Sequence, residues 1–414
     1  MATLLRIAWR NLWRGWRRSA IVLSAITVGL AACLLLIAWS HGWLEQVVQM
    51  AVGTRLGQVA VHAEGYQANP DVDRALADGG RALAEAAERF PGAHASPRVL
   101  GDGLVQSARQ SARVALIGVD PEREARVSVV GRSFTEGTFP APLAAGARSL
   151  PGIAIGAPLA DQLHAVLGGK LVVHAPGEAG LGAFRVAGIF RTGSPGFDKT
   201  AVYVRLEDAQ RLLELGDRVN EVAFALDDSR TRPAFLEFAR AELPRVRPGE
   251  KLEVLSWEER EPRLAAMLGL MTNTAWVGYA AVFAGMAFGI ANALLMSVYE
   301  RIHEFGVLRA LGLRASQLVW MVLFESVLLT VGGALVGIAL GVSLVLLLGR
   351  VGVDLGSLAG GMSQLGISSV VYPAMGEADL ISPLLLALGT ALVAAIWPAW
   401  KAARLRPAEA IRHV

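Results

Sequence analysis

Long runs without a charged residue constrain this chain more than any other feature. Ser19 to Leu44 is 26 residues free of Asp, Glu, Lys and Arg, and Leu264 to Val298 is 35. Ala315 to Gly349 is 35 residues with one charge, Glu325, and Leu380 to Trp400 is 21, bracketed by Asp379 and Lys401. A bilayer core about 30 Å thick takes about 20 apolar residues as helix. The runs therefore predict four transmembrane helices, at 19–44, 264–298, 318–349 and 380–400. At 1.5 Å per residue the second run would be roughly 50 Å long, more than a bilayer needs. It follows directly on the large polar segment 45–263, so it is expected to project from the membrane as a stalk. Composition agrees: 53% of residues are hydrophobic, 18% are charged and mean hydropathy is +0.44. That is the balance of a membrane protein with a sizeable soluble part. A net charge of +3 over 414 residues gives no case for nucleic acid as a partner.

Arg and Lys in the short loops set orientation. Arg6, Arg10, Arg14, Arg17 and Arg18 precede the first span. Arg301, Arg309 and Arg314 lie in the segment 299–317 between spans two and three, and Lys401, Arg404, Arg406 and Arg412 lie in the tail 401–414. The loop 350–379 holds only Arg350 against Asp354, Glu377 and Asp379. Both termini are thus expected in the cytoplasm, and 45–263 outside it. In the arm 1–18, Trp9, Trp13 and Trp16 fall within roughly 60° of one another on a helix, with Arg10, Arg14 and Arg17 on a neighbouring stripe. That pattern predicts an amphipathic elbow helix, with indoles at headgroup depth and guanidiniums towards lipid phosphates. Leu30-Ala31-Ala32-Cys33 matches the box before a lipid-modified cysteine. The apolar run continues past it as Leu34 to Trp39, so an uncleaved span is the reading. Cys33 is the single cysteine, which excludes an intramolecular disulfide.

The segment 45–263 mixes strand-like and helix-like stretches. Val59–His62, Val114–Val119, Phe184–Phe190, Ala201–Val204, Val222–Leu226 and Leu252–Leu255 are rich in β-branched and aromatic residues. Asp71–Phe90, Leu159–Leu167, Leu206–Leu215 and Pro233–Leu243 have helical spacing, with Asp71 and Asp208 placed to favour helix starts. Their irregular order predicts an α+β domain. Catalytic patterns are missing. Gly168-Gly169-Lys170 lacks the first glycine and the Ser/Thr of a phosphate loop, and His303-Glu304 lacks the second histidine of a zinc helix. The seven histidines show no metal-ligand spacing. A binding or force-transmitting domain fits better than an enzyme.

Two stretches carry a family resemblance. Glu300-Arg301-Ile302-His303-Glu304-Phe305-Gly306-Val307-Leu308-Arg309-Ala310-Leu311-Gly312, between spans two and three, and Pro398-Ala399-Trp400-Lys401-Ala402-Ala403-Arg404-Leu405-Arg406-Pro407-Ala408-Glu409-Ala410-Ile411-Arg412, in the tail, resemble the signatures of FtsX-like, MacB-type ABC-transporter permeases. Four spans with a large external domain between the first two is that family's topology. Phe184-Arg185-Val186-Ala187-Gly188-Ile189-Phe190-Arg191-Thr192-Gly193 and Gly118-Val119-Asp120-Pro121-Glu122 resemble the lipoprotein-releasing LolC/LolE branch. Between Val173 and Phe184 there is only a short turn, where chaperone-recruiting LolC proteins carry a longer hook, so the resemblance does not extend to that hook.

The resemblance implies a fold of four transmembrane helices with an α+β periplasmic MacB-like domain, in the inner membrane of a bacterium. It implies no cofactor in this chain, with ATP and Mg bound by a separate ABC ATPase present in two copies. It also implies a second permease, identical or related, and a lipoprotein or other amphiphile as substrate, with a possible periplasmic partner. Glu300, Arg301, Glu304, Phe305, Gly306, Leu308, Arg309 and Gly312 are then the ATPase-coupling residues, a short helix whose apolar face would enter a groove on the ATPase. Glu325 is an intramembrane carboxylate, a costly feature and by default a functional candidate. An Arg-paired structural role and a place on a proton or substrate path are both open for it. Gly332, Gly333, Gly337 and Gly341 would let span three approach another helix closely. Two further functions fit the family: a MacB-like exporter with an adaptor and outer-membrane partner, and an FtsX-like signalling permease that activates an external hydrolase.

Overall fold

The computed structural model describes residues 16–71, 74–142, 149–177, 180–354, 370–376 and 378–404. Trp9, Arg10, Trp13 and Arg14 of the arm lie outside the described residues. Along the chain the helices are α1 (Trp16–Ala51), α2 (Arg81–Ala87), α3 (Pro121–Val127), α4 (Ala157–Leu163), α5 (Pro195–Asp198) and α6 (Leu206–Leu212). They continue as α7 (Arg232–Val246), α8 (Trp257–Arg260), α9 (Pro262–Glu300), α10 (Ile302–Ala310), α11 (Ala315–Val351) and α12 (Ala378–Ala403). The chain divides into a helical unit, drawn from residues before 45, 268–354 and after 370, and a sheet unit built on 45–267.

In the helical unit α1, α9, α11 and α12 are each long and apolar enough to cross a membrane. Their shared core is made by residues four apart: Val22, Ile26 and Leu30 of α1 meet Met286, Ile290 and Leu294 of α9. Ala387, Ala391, Ala394 and Ala395 of α12 join them. Lipid tails are as apolar as leucine, so burying Leu or Ile between spans gains little from water, and close backbone approach supplies the attraction instead. The glycine run of α11 does this. Gly333, Gly337 and Gly341 form a groove in which α1 lies. A Cβ on Gly333 would stand 2.9 Å from Ile26, on Gly337 3.0 Å from the Thr27 carbonyl, and on Gly341 2.9 Å from Leu34. Gly332 is at the rim, facing Leu23. The outer faces stay apolar, with Phe288, Leu335 and Val393 all exposed.

The sheet unit holds β1 (Val59–Ala63), β2 (Ala93–Gln106), β3 (Ser111–Val119), β4 (Phe134–Gly137), β5 (Gly152–Gly156), β6 (Lys170–His174), β7 (Leu181–Phe190), β8 (Ala201–Arg205), β9 (Glu221–Leu226) and β10 (Leu252–Ser256). They form one mixed sheet in the order β10-β1-β9-β2-β3-β8-β5-β7-β4, with β6 pairing β2 and β7. β3/β8 and β5/β7 are parallel, and the other pairings are antiparallel. Alternation along each strand separates two faces. Val59, Val61, Val99, Val222 and Phe224 face a large apolar core closed by Leu83 of α2 and by Phe235, Ala239 and Leu243 of α7. The opposite face carries an aromatic cluster around Phe190 and Tyr203, and beside it a row of charged side chains.

Three helix expectations need correction. Asp71–Phe90 yields only α2, because Leu76 bridges to Val219 and Asp78, Gly79 and Gly80 all adopt positive φ, which no helix continues through. Leu159–Leu167 stops at His164, which takes the left-handed conformation. Leu206–Leu215 stops at Leu212, before Glu214 with φ 56°. Strands β2, β4, β5 and β6 and helix α3 lie where no element was expected.

Candidate functional site

At one end of the helical bundle α9 ends at Glu300, and α10 follows after a break at Arg301. Gly312, with φ 95°, turns the chain into α11. Arg301 organises this corner. Its guanidinium donates to Glu304 at 3.0 Å and to Glu325 at 3.3 Å, and lies 5.1 Å from the centre of the Phe305 ring. Glu325 is buried, so its charge is matched within the bundle by Arg301. Arg309 donates to the carbonyl of Ala403 at 2.7 Å, fastening α10 to the end of α12.

The expected apolar docking face of this loop divides in two. Phe305 and Gly306 turn inward, Phe305 packing with Val298, Leu318, Met321 and Ala399, with Leu308 against the same cluster. Exposed instead are His303, Val307, Ala310, Leu311 and Gly312. The reason is helical geometry: residues three to four apart share a face, so 303, 307 and 310 cannot lie with 305 and 308. Trp16 and Arg17, the described part of the arm, are exposed.

At the opposite end of the same bundle a cavity of about 570 Å³ opens between α1, α9 and α12. Its walls are aromatic and aliphatic: Ile37, Trp39 and Trp43 from α1, Leu270, Trp276, Tyr279 and Phe283 from α9, and Leu386 from α12. A contact between titratable side chains stands in the lining, His41 Nδ1 to Asp379 at 2.9 Å, while the hydroxyls of Ser40, Thr272 and Thr274 bond carbonyls of their own helices. Such a chamber suits an acyl chain whose polar end stays near the imidazole–carboxylate pair. Sequence reasoning did not assemble it. Its available signal was the gathering of Trp39, Trp43, Trp276 and Tyr279 at the ends of two spans, as aromatic residues do at membrane interfaces.

A second constellation was also missed. Across the sheet, His62 of β1 is registered with Glu253 of β10, and Glu221 of β9 with Arg98 of β2. Arg98 grips Glu124 of α3 with two bonds, of 2.9 and 2.7 Å, and reaches Glu221 at 3.1 Å. Arg260, at the end of α8, donates to the other Glu221 oxygen. His62 Nδ1 donates to the Asn220 carbonyl at 3.0 Å, and its ring stacks on Tyr66. Burial outweighs the nearby Glu221 and holds the His62 pKa below its ordinary value. For Glu221, burial pushes the other way, but Arg260 and Arg98 prevail and lower its pKa. Burial, aided by Arg98 and Arg55, lowers the pKa of Arg260. Arg98 moves upward despite its burial because it faces two carboxylates. With His62 neutral, two guanidiniums balance two carboxylates. Among the described residues no group of His, Cys, Asp and Glu has the arrangement of a metal site.

Comparison with known proteins gives matches to both parts of the chain. The family model of the MacB-like periplasmic core domain matches residues 19–241, and that of the FtsX-like permease C-terminal region matches 276–407. The chain is 27% identical over 414 residues to the lipoprotein-releasing system transmembrane protein LolC of Neisseria meningitidis, covering 95% of this chain and 93% of that one. It is 27% identical over 413 residues to the macrolide export ATP-binding/permease protein MacB of Sodalis glossinidius, covering 95% of this chain and 58% of that protein. Among solved structures, the extracellular domain of the ABC-type transporter YknZ from Gram-positive bacteria aligns with TM-score 0.34 at 14% identity, over 48% of this chain and 99% of that one.

Proposed function

Because this chain belongs to the family of ABC-transporter permeases with a MacB-like periplasmic core domain and an FtsX-like C-terminal region, we propose that it draws a lipoprotein or similar amphiphile from the outer leaflet of the inner membrane. The energy comes from ATP, bound with Mg by two copies of a separate ATPase. Two permeases, of this chain or of this chain and a relative, complete the complex. Both termini are cytoplasmic and 45–263 is periplasmic. The face of His303, Val307, Ala310 and Leu311 meets the ATPase, and Arg301, bonded to Glu304 and Glu325, passes its displacement to α11.

The observation that carries this reading is the aromatic-walled cavity between α1, α9 and α12. An ATP-driven change at the other end of the same helices would close it and release its occupant. A second reading, an exporter acting with an adaptor and an outer-membrane partner, has support in the identity to MacB over 95% of this chain. A photo-crosslinking residue at Phe283, in the complex purified with its ATPase and held in nanodiscs, decides between them. The amphiphile reading expects an adduct with added tri-acylated lipoprotein that disappears on adding ATP. An adduct with bilayer phospholipid alone, unchanged by lipoprotein and ATP, would sink it.

A further inference from the structure

The buried charge row has a place in the fold that packing alone does not require. A π-helical turn, Val52–Leu56, continues α1, and three successive carbonyls in it, those of Thr54, Arg55 and Leu56, each accept a bond from a side chain of a different element. Tyr203 of β8 donates to Thr54 at 3.2 Å, Arg98 of β2 to Arg55 at 2.7 Å, and Arg260 to Leu56. The last carbonyls of a helix have no partner within it and are ordinarily met by water or by the following backbone. Here they are held by one phenol and two guanidiniums, all buried. The negative end of the helix dipole adds to the attraction for both cations.

The same cluster also takes hold of the start of α9. Arg260 is two residues before Pro262, and its neighbour Glu261 pairs with Arg55 at 2.7 Å. Glu221 joins the two clamps, since Arg98 bonds one of its oxygens and Arg260 the other. Residues 45–56 and 262–267 belong to the sheet unit, so the bonds fasten both helix ends to the strands within a single unit.

We infer that Arg98, Glu124, Glu221, Arg260 and Tyr203 form a clamp that locks the outer ends of α1 and α9 to the sheet as one rigid joint. Displacement of either helix end then carries the sheet as a body instead of being absorbed by a flexible connection. The value of this joint rests on the permease reading above; its existence does not. Linkers that merely connect have exposed backbone and few fixed bonds. This connection has neither property.

Spin labels on the full chain in nanodiscs, in a Cys33→Ala background, test the clamp. One pair, Gln49→Cys with Arg113→Cys, spans it; a control pair, Arg113→Cys with Lys170→Cys, lies within the sheet. The clamp predicts one narrow distance peak for both pairs. In Arg98→Met/Glu124→Gln, which removes charges of both signs together, the spanning pair loses its narrow peak and the control keeps it. Tyr203→Phe, which deletes a single bond, broadens the spanning peak less. A spanning peak that stays narrow in both variants overturns the inference, as does loss of the narrow peak in both pairs together, which would make the cluster part of the domain core. In the complex with the ATPase, the clamp predicts that Arg98→Met/Glu124→Gln keeps ATP turnover and loses substrate release. Full release with a broadened spanning peak would leave the joint standing and refute the permease mechanism built on it. A wild-type complex without ATP-dependent release would refute that mechanism in the same way.

Discussion

The helical bundle and the sheet unit solve the same problem, holding long elements at fixed distances, with opposite chemistry. In the bundle, α1 and α11 meet through glycine, and the Thr27 hydroxyl bonds the Gly333 carbonyl at 3.2 Å. The sheet, with water around it, gains enough from its large apolar face to accommodate ions on the other. Its two buried arginines and two buried glutamates pair with one another, with only the Arg260 Nε left unbonded among their polar atoms, and the pairing offsets much of the several kcal/mol each ion loses on leaving water. Contact distance therefore controls the bundle and charge balance controls the charged face of the sheet. The two should fail under different substitutions.

The largest effect is expected from unbalancing the sheet. Arg98→Met leaves Glu124 with no guanidinium and Glu221 with one, at a cost of about 3–5 kcal/mol. Hydrogen exchange of the β9 amides in the full chain would show faster opening. Arg98→Met/Glu124→Gln should recover most of that loss, since it removes an ion pair as a unit. If the double variant were as unstable as the single, charge balance would not be what controls this face.

A smaller and differently patterned loss is expected in the bundle. Gly337→Leu would press a side chain against the Thr27 carbonyl and Cα, at 3.0 and 3.2 Å from the first added carbon. Backbone cannot yield there, so overpacking costs about 1–3 kcal/mol. Gly278→Leu, on α9 with nothing within 4 Å of its added Cβ, should be tolerated. Unfolding in mixed micelles compares the two, and equal losses would contradict the groove.

These two regions also differ in how far the sequence announced them. The spans were legible because a membrane imposes one rule on every residue, and the spacing of Gly333, Gly337 and Gly341 already marked a close helix contact. The sheet's α+β class was legible too, from β-branched stretches such as Val222–Leu226. Strand β2 was not, since Pro97, Gly101, Asp102 and Gly103 read as turn residues. They are tolerated there because Pro97 lies one residue before the pairing with β3 begins at Arg98, and Gly101 has Leu213 packed over it, 2.7 Å from where a Cβ would be. Helix α3 did have a signal, Asp120 followed by Pro121, and Asp120 indeed caps it. The charge row was hidden because His62 stands alone among apolar neighbours in Val59–Ala63, while Glu124 and Arg260 lie in charged stretches that read as solvated faces. Only cross-strand register brings such residues together, and register is not a local property.

The finest expected effect is a pH dependence that the bundle does not share. His62 is buried with its pKa held below the ordinary 6.5, mainly by burial and with Arg260 assisting, against Glu221 and Glu253. Unfolded chain therefore binds a proton that folded chain excludes, and the sheet should lose stability as pH falls below about 6.5. For one proton the slope cannot exceed about 1.4 kcal/mol per pH unit. Glu221 does not contribute in that window: its pKa is lowered, so its stabilisation is kept until pH falls through the carboxylate range. His62→Gln keeps a donor for the Asn220 carbonyl and removes the titration. Subtracting its exchange rates from those of wild type at pH 7.5 and 5.5 cancels the other histidines. The difference should grow on the acid side in β1 and β9 and be flat in α11. An equal acid response in wild type and His62→Gln would mean that the buried imidazole sets none of it, and that the ion pairs alone govern this face.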